Sequence, residues 1–177
     1  MKLIILDRDG VINTDSAGFI KGPEEWKPLP GSLEAIARLT QDGFRVVVAT
    51  NQSGIGRGLF DMATLNAINS KMHKMVNQAG GRIEAIFYCP DTAESDSPFR
   101  KPNPGMFVEI GERFAVSLQG VPTVGDSLRD LQAAAAVKAL PILVLTGKGA
   151  KTLEAGGLPD GTTVHPDLAA VAATLVE

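Results

Sequence analysis

Short apolar runs alternate with amphipathic stretches along this chain. Residues 3–6 (LIIL), 46–49 (VVVA) and 142–145 (ILVL) are uninterrupted apolar blocks. Blocks of that length without polar alternation predict strands covered on both faces, as in a parallel sheet. Residues 83–88 and 122–124 predict two more strands. Between them, Leu33, Ile36, Ala37 and Leu39 recur at helical spacing, with Ser32 as the expected N-cap and Gly43 as the stop. Leu65, Ile68, Met72, Val76 and Ala79 form a second such face, opened by Asp61 and closed by Gly80-Gly81. Met106, Phe107, Ile110 and Phe114 form a third, entered through Pro104. Residues 128–140 are alanine-rich and helical, and Asp167 caps a last helix carrying Leu168, Val171 and Leu175. Strand–helix alternation of this kind predicts an α/β fold: a doubly wound, mainly parallel, Rossmann-like sheet. Two connections, residues 13–30 and 90–104, exceed the usual length of about 4–6 residues. Loops of that size often carry function.

The chain has 177 residues, of which 44% are hydrophobic. That is enough for a buried core, and the length fits one domain over residues 1–177. No span remains for a large cap domain, so the two long loops are expected to enclose any site. The formal charge of −3 argues against a general nucleic-acid binder, which needs a basic face. One cysteine, Cys89, excludes an internal disulfide framework and a multi-cysteine zinc site. The first apolar run stops at Asp7, too short for a secretory leader. No stretch approaches the ~20 apolar residues of a membrane span. The expectation is a cytoplasmic, monomeric protein with no membrane or nucleic-acid partner.

Open parallel sheets bind ligands beyond the carboxyl ends of their strands. There the chain reads Asp7-Arg8-Asp9-Gly10 after the first strand and Thr50-Asn51-Gln52-Ser53-Gly54 after the second. Gly125-Asp126-Ser127 follows the fourth, with Asp130 beyond it, and Arg100-Lys101-Pro102 precedes the third helix. Carboxylates, a hydroxyl and paired cations suit phosphoryl transfer. Asp7, Asp9 and Asp126 can hold Mg²⁺, a hard ion that takes oxygen ligands. Lys101 and Thr50 can bind the non-bridging oxygens, whose charge must be held through the transition state. A covalent route divides a very high barrier into two lower ones.

These four segments, in this order and at these strand ends, resemble the haloacid dehalogenase-like phosphatases. Residues 6–13 (LDRDGVIN), 50–58 (TNQSGIGRG) and 100–106 (RKPNPGM) resemble a narrower branch of that family, sugar-bisphosphate phosphatases related to histidinol-phosphate phosphatases. The resemblance implies Asp7 as nucleophile and Asp9 as general acid and base. It implies Mg²⁺ on the Asp7 carboxylate, the Asp9 carbonyl and Asp126. Thr50 and Lys101 would steady the phosphoryl group. Arg8, Asp15, Asn51, Gln52, Ser53, Arg57 and Arg100 are the expected substrate contacts, and Asp130 would cap locally and support Lys101 or the metal. Many relatives carry a structural zinc loop just before the Arg-Lys pair. Here Cys89 survives, but Asp91 stands where they have histidine, and residues 91–99 hold no cysteine. Zinc needs about four N or S ligands, so no zinc is expected.

Plainer readings compete. Cys89 reads as a buried filler, Trp26 as loop packing, and His73 and His165 as bystanders. Residues 147–152 (GKGAKT) end like a phosphate-binding loop but lack the glycine before the second lysine; Lys148 is left for the rim of the site. The chief enzymatic alternative is a histidinol-phosphate phosphatase. From another class, a phospho-receiver domain also joins an acidic Mg²⁺ site, Thr and Lys on such a sheet. Its acceptor Asp, however, ends the third strand, and it needs no second Asp for proton transfer.

Overall fold

The computed structural model describes residues 1–177. Six strands form one parallel sheet: β1 (Lys2–Leu6), β2 (Phe44–Asn51), β3 (Ile83–Cys89), β4 (Pro122–Gly125), β5 (Leu140–Val144) and β6 (Thr163–His165). Their spatial order is β3-β2-β1-β4-β5-β6. The helices are α1 (Ser32–Gln41), α2 (Ser53–Gly56), α3 (Met62–Gln78), α4 (Gly105–Phe114), α5 (Leu128–Ala136), α6 (Gly149–Ala155) and α7 (Leu168–Leu175). No helix is long and apolar enough to cross a membrane.

The two-residue period of a strand sends alternate side chains to opposite layers. Ile4, Leu6, Val46 and Val48 join Ile36 and Leu39 of α1, Ile68 and Met72 of α3 and Val171 of α7. Leu3, Ile5, Val47 and Ala49 join Met106, Phe107 and Ile110 of α4 and Ala133 and Ala134 of α5. Both faces of the central strands are therefore dry, which is why their sequences show no polar alternation. Each fully buried Leu, Ile or Val contributes roughly 1.5–3 kcal/mol.

The chain winds outward from β1 to β3, then returns to place β4 on the other side of β1. That reversal puts the switch point between β1 and β4. Their carboxyl ends are tied there by the Asp7 amide donating to the Val124 carbonyl (3.0 Å).

Three local features differ from the sequence expectation. Gly31, with φ of 82°, is the N-cap of α1, and Ser32 is its first helical residue. The Ser32 hydroxyl donates instead to the Val11 carbonyl (2.9 Å), fastening α1 to the chain leaving β1. Helix α5 ends at Ala136, because Lys138 takes a left-handed conformation and Leu140 pairs with Pro122 in the sheet. Strand β6 and helix α6 were not anticipated. β6 is a three-residue edge strand without a buried residue, and α6 buries only Gly149, so neither carries an apolar pattern.

The two long loops are ordered by specific anchors. In residues 13–30, Asn13 bridges to Pro28, and Trp26 is fully buried in the core. Lys71 of α3 donates to the carbonyls of Pro23 and Trp26 (2.7 Å each) and sits over the Trp26 ring. In residues 90–104, Asn103 donates to the Ser97 carbonyl (2.9 Å) and Arg100 to that of Asp91 (3.3 Å).

Candidate active site

A cavity of about 220 Å³ opens at the switch point. Asp7 enters it from the end of β1 and Asp126 from the end of β4. Gly10 and Gly147, both with positive φ, flank the Asp126 carboxylate so closely that a Cβ on either would collide with it. Only glycine suits both the left-handed backbone and this approach. The Lys148 amide completes the seat by donating to Asp126 Oδ2 (2.9 Å).

Lys101 is 2% exposed. Its ammonium donates to Asp7 Oδ1 (3.2 Å) and the Ala49 carbonyl (2.8 Å) and forms an ion pair with Asp130 Oδ1 (2.7 Å). Asp130 Oδ2 accepts from the backbone and hydroxyl of Ser127, capping α5. Thus Asp130 serves to hold Lys101 and the first turn of α5. Asp7 Oδ2 and Asp126 Oδ1 are left with no protein donor.

The carboxylates of Asp7, Asp126 and Asp130 offer oxygens within 4.8 Å of one another. Three negative charges against the single Lys101 cation leave two uncompensated, the charge of one divalent ion. The electrostatics register that excess. Burial, then the Asp130 charge, pushes Asp7 well above the usual carboxylate range, with Lys101 pulling partly back. Burial and Asp130 push Asp126 up to about 7. Burial also works against charge on Asp130, but Lys101 prevails and holds it below the usual value. Lys101 in turn is held above its ordinary value by Asp130 and Asp7, despite its burial.

Asp9 also lines the cavity, but its carboxylate is not part of that cluster. Arg8 Nε and Nη2 donate to its two oxygens (2.9 and 3.3 Å), Asn13 Nδ2 to Oδ1 (2.9 Å) and Gln52 Nε2 to Oδ2 (3.4 Å). Burial raises the Asp9 pKa, but the Arg8 charge and these hydrogen bonds outweigh it and hold the group below its ordinary value.

The expected substrate contacts divide. Asp15, Asn51, Ser53, Arg57 and Arg100 line the cavity, with Thr50 beside them. Asn51 is already engaged: its amide donates to the Lys101 carbonyl and accepts from the Lys101 N–H (3.1 Å each), pinning that loop to β2. Two expected contacts lie behind the cavity wall. Arg8 is 0% exposed and does not line the cavity; alternation along the chain leaving β1 points Asp7 and Asp9 outward and Arg8 inward. Gln52 is likewise buried, its amide bridging Thr50 Oγ1 (2.9 Å) and Asp9.

Arg129, on the first turn of α5, lines the cavity and was not singled out in the sequence. The signal was its place beside Asp130 in the Gly-Asp-x-x-x-Asp segment. Partial burial and the charges of Arg129 and Arg57 lower the Arg100 pKa, which marks the three guanidinium groups as one cationic rim. Lys148 joins that rim and pairs with Asp15 (3.6 Å), across the mouth of the cavity. At the end of β3, the buried Cys89 thiol lies 3.6 Å from Asp91 and 3.9 Å from Ser97 of the 90–104 loop. One thiol, one carboxylate and a hydroxyl do not make a zinc ligand set.

A family model of haloacid dehalogenase-like hydrolases matches residues 6–138. The chain belongs to that family of hydrolases, which sets aside the phospho-receiver alternative. Over the full chain it is 62% identical to the D-glycero-beta-D-manno-heptose-1,7-bisphosphate 7-phosphatase of Bordetella bronchiseptica, covering 99% of that protein. It is 52% identical to the Pseudomonas aeruginosa enzyme of the same name, over 99% of this chain and 98% of the relative. A crystal structure of the B. bronchiseptica D,D-heptose 1,7-bisphosphate phosphatase, complexed with magnesium and phosphate, superposes with a TM-score of 0.98, covering 99% of this chain and 98% of that one.

Proposed function

We propose that this phosphatase removes the 7-phosphate of D-glycero-beta-D-manno-heptose 1,7-bisphosphate through an aspartyl-phosphate on Asp7. The observation that carries the reading is one cavity lined by two kinds of anion-binding group. Asp7 lies there beside Lys101 and Asp126, and Arg57, Arg100 and Arg129 line the same cavity as a cationic rim. A bisphosphate needs both. The full-length likeness to enzymes of that name supports the sugar and the beta anomer. The product would keep its anomeric phosphate for nucleotide activation, and the reaction would then supply heptose for lipopolysaccharide core.

The two free oxygens, Asp7 Oδ2 and Asp126 Oδ1, and the uncompensated double charge fit Mg²⁺. The Asp9 carbonyl is the third protein ligand in this scheme. When bound, the ion offsets repulsion between the attacking carboxylate and the phosphate.

Asp7 attacks phosphorus while Asp9 gives its proton to the departing sugar oxygen. Lys101 and Thr50 hold the non-bridging oxygens. Water then attacks the aspartyl-phosphate, and Asp9 takes a proton from it, so each cycle restores the acid form. The Arg8 pairing favours the Asp9 carboxylate, the state needed for this second half. It works against the acid form that the first half needs.

The test is phosphate release with Mg²⁺ from both heptose 1,7-bisphosphate anomers, histidinol phosphate and hexose phosphates. The beta anomer should give the highest kcat/KM, by at least about tenfold over a hexose phosphate, equivalent to ~1.4 kcal/mol of transition-state discrimination. A higher value for histidinol phosphate would overturn the substrate assignment.

A further inference from the structure

Arg8 is the only fully buried arginine of the chain, and its sole carboxylate partner is its neighbour Asp9. Burying a guanidinium costs several kcal/mol unless a partner offsets it. Asp9 in turn accepts four N–H groups from three side chains: two from Arg8, one from Asn13 and one from Gln52. Those donors are themselves held. Asn13 bridges to both Asp9 and Pro28, while the Gln52 backbone donates to Cys89 (2.7 Å) and its side chain to Thr50. No other carboxylate in the cavity is gripped from so many sides. Asp7, by contrast, has only Lys101 as a donor.

We infer that Arg8, with Asn13 and Gln52, is a positioning residue for proton transfer: the three side chains fix the orientation of the Asp9 carboxylate in the cavity wall, and so its reach to the leaving oxygen. This rests on the phosphatase reading above, in which Asp9 handles the proton. A free aspartate side chain samples several rotamers, and a general acid must lie within hydrogen-bond reach of its target. An untethered Asp9 would spend much of its time out of reach. The competing account is an ion pair that merely seals the turn over residues 8–13, and the two accounts differ in what depends on the leaving group.

An alkoxide needs a proton as it departs, whereas a nitrophenolate leaves well without one. Arg8→Lys keeps the buried charge but loses the two-pronged grip. Asn13→Ala removes a tether without touching the charge. Each should lower kcat/KM, which reports the phosphoryl transfer to Asp7 and not the shared hydrolysis step, by about 10- to 100-fold on the alkyl phosphate the enzyme hydrolyses fastest, at or below the ~10²–10⁴-fold that general acid catalysis supplies. On p-nitrophenyl phosphate each should lower kcat/KM less than about threefold. In an Asp9→Asn background, Arg8→Lys should cost no further alkyl phosphate activity, since there is no acid left to orient. Equal losses on both substrates, or a full additional loss in that background, would overturn the inference. If Arg8→Lys fails to fold, Asn13→Ala and Gln52→Met carry the same comparison. Wild-type protein that hydrolyses neither substrate would overturn the phosphatase reading itself, and this inference with it.

Discussion

Asp126→Asn should stabilise the metal-free protein at pH 8 while abolishing its response to Mg²⁺. Asp126 is buried beside Asp130, and its pKa stands at about 7 against an ordinary 3.8. A carboxyl whose folded pKa is raised binds more protons folded than unfolded between those two values. Stability is therefore lost as pH rises through that window. At about 1.4 kcal/mol per unit, the ionised group costs the fold on the order of 4 kcal/mol at pH 8, but only on the order of 2 at pH 5. Asparagine is nearly isosteric and its carbonyl can still accept the Lys148 amide, so it removes the charge without the seat. Removing that charge also relieves Asp7, whose pKa Asp126 helps to raise. The advantage of Asp126→Asn over wild type in EDTA should hence grow by roughly 2–3 kcal/mol from pH 5 to pH 8. Urea unfolding at both pH values, with EDTA or excess Mg²⁺, measures it. With Mg²⁺ the wild type should gain stability by mass action and the variant should not. A gap that does not change with pH, or a variant less stable than wild type at pH 8 in EDTA, would refute the argument.

Other outcomes follow from the same geometry. Asp7→Asn should fold and lose turnover essentially completely, as an amide cannot attack phosphorus; phosphate release and a thermal melt check both halves. EDTA should stop activity and Mg²⁺ restore it, and elemental analysis of purified protein should find no stoichiometric zinc, because Cys89 has no companion thiol. Arg129→Met should raise KM for the bisphosphate several-fold and leave KM for a monophosphate nearly unchanged, a contrast read in steady-state kinetics.

Much of this was legible in the chain. The apolar blocks became β1, β2 and β5 because both faces of those strands are covered, so no alternation blurred them. The strand-end acids and Lys101 were legible because the topology of a parallel sheet fixes where strand ends meet. What escaped depended on side-chain direction. Arg8 reads as an exposed cation in a polar motif, yet it lies between two outward-facing acids and turns into the protein. Gln52 was hidden for the same reason. Arg129 was masked by its surroundings, since an arginine in the first turn of a helix is ordinary until the cavity forms beside it. β6 and α6 left no pattern because almost nothing in them is buried.

The Trp26 and Lys71 anchors divide the first long loop into two parts with different tolerance to substitution. Ile20, Trp26 and the bridge from Asn13 to Pro28 bind its base to the core. Ser16, Ala17 and Gly18 are exposed at its tip, and the first two line the cavity. Substitution at the base removes buried contacts, whereas substitution at the exposed tip changes only the cavity lining. Selection, or a designer, could therefore retune substrate preference through three or four residues at almost no thermodynamic penalty, leaving the catalytic acids in place.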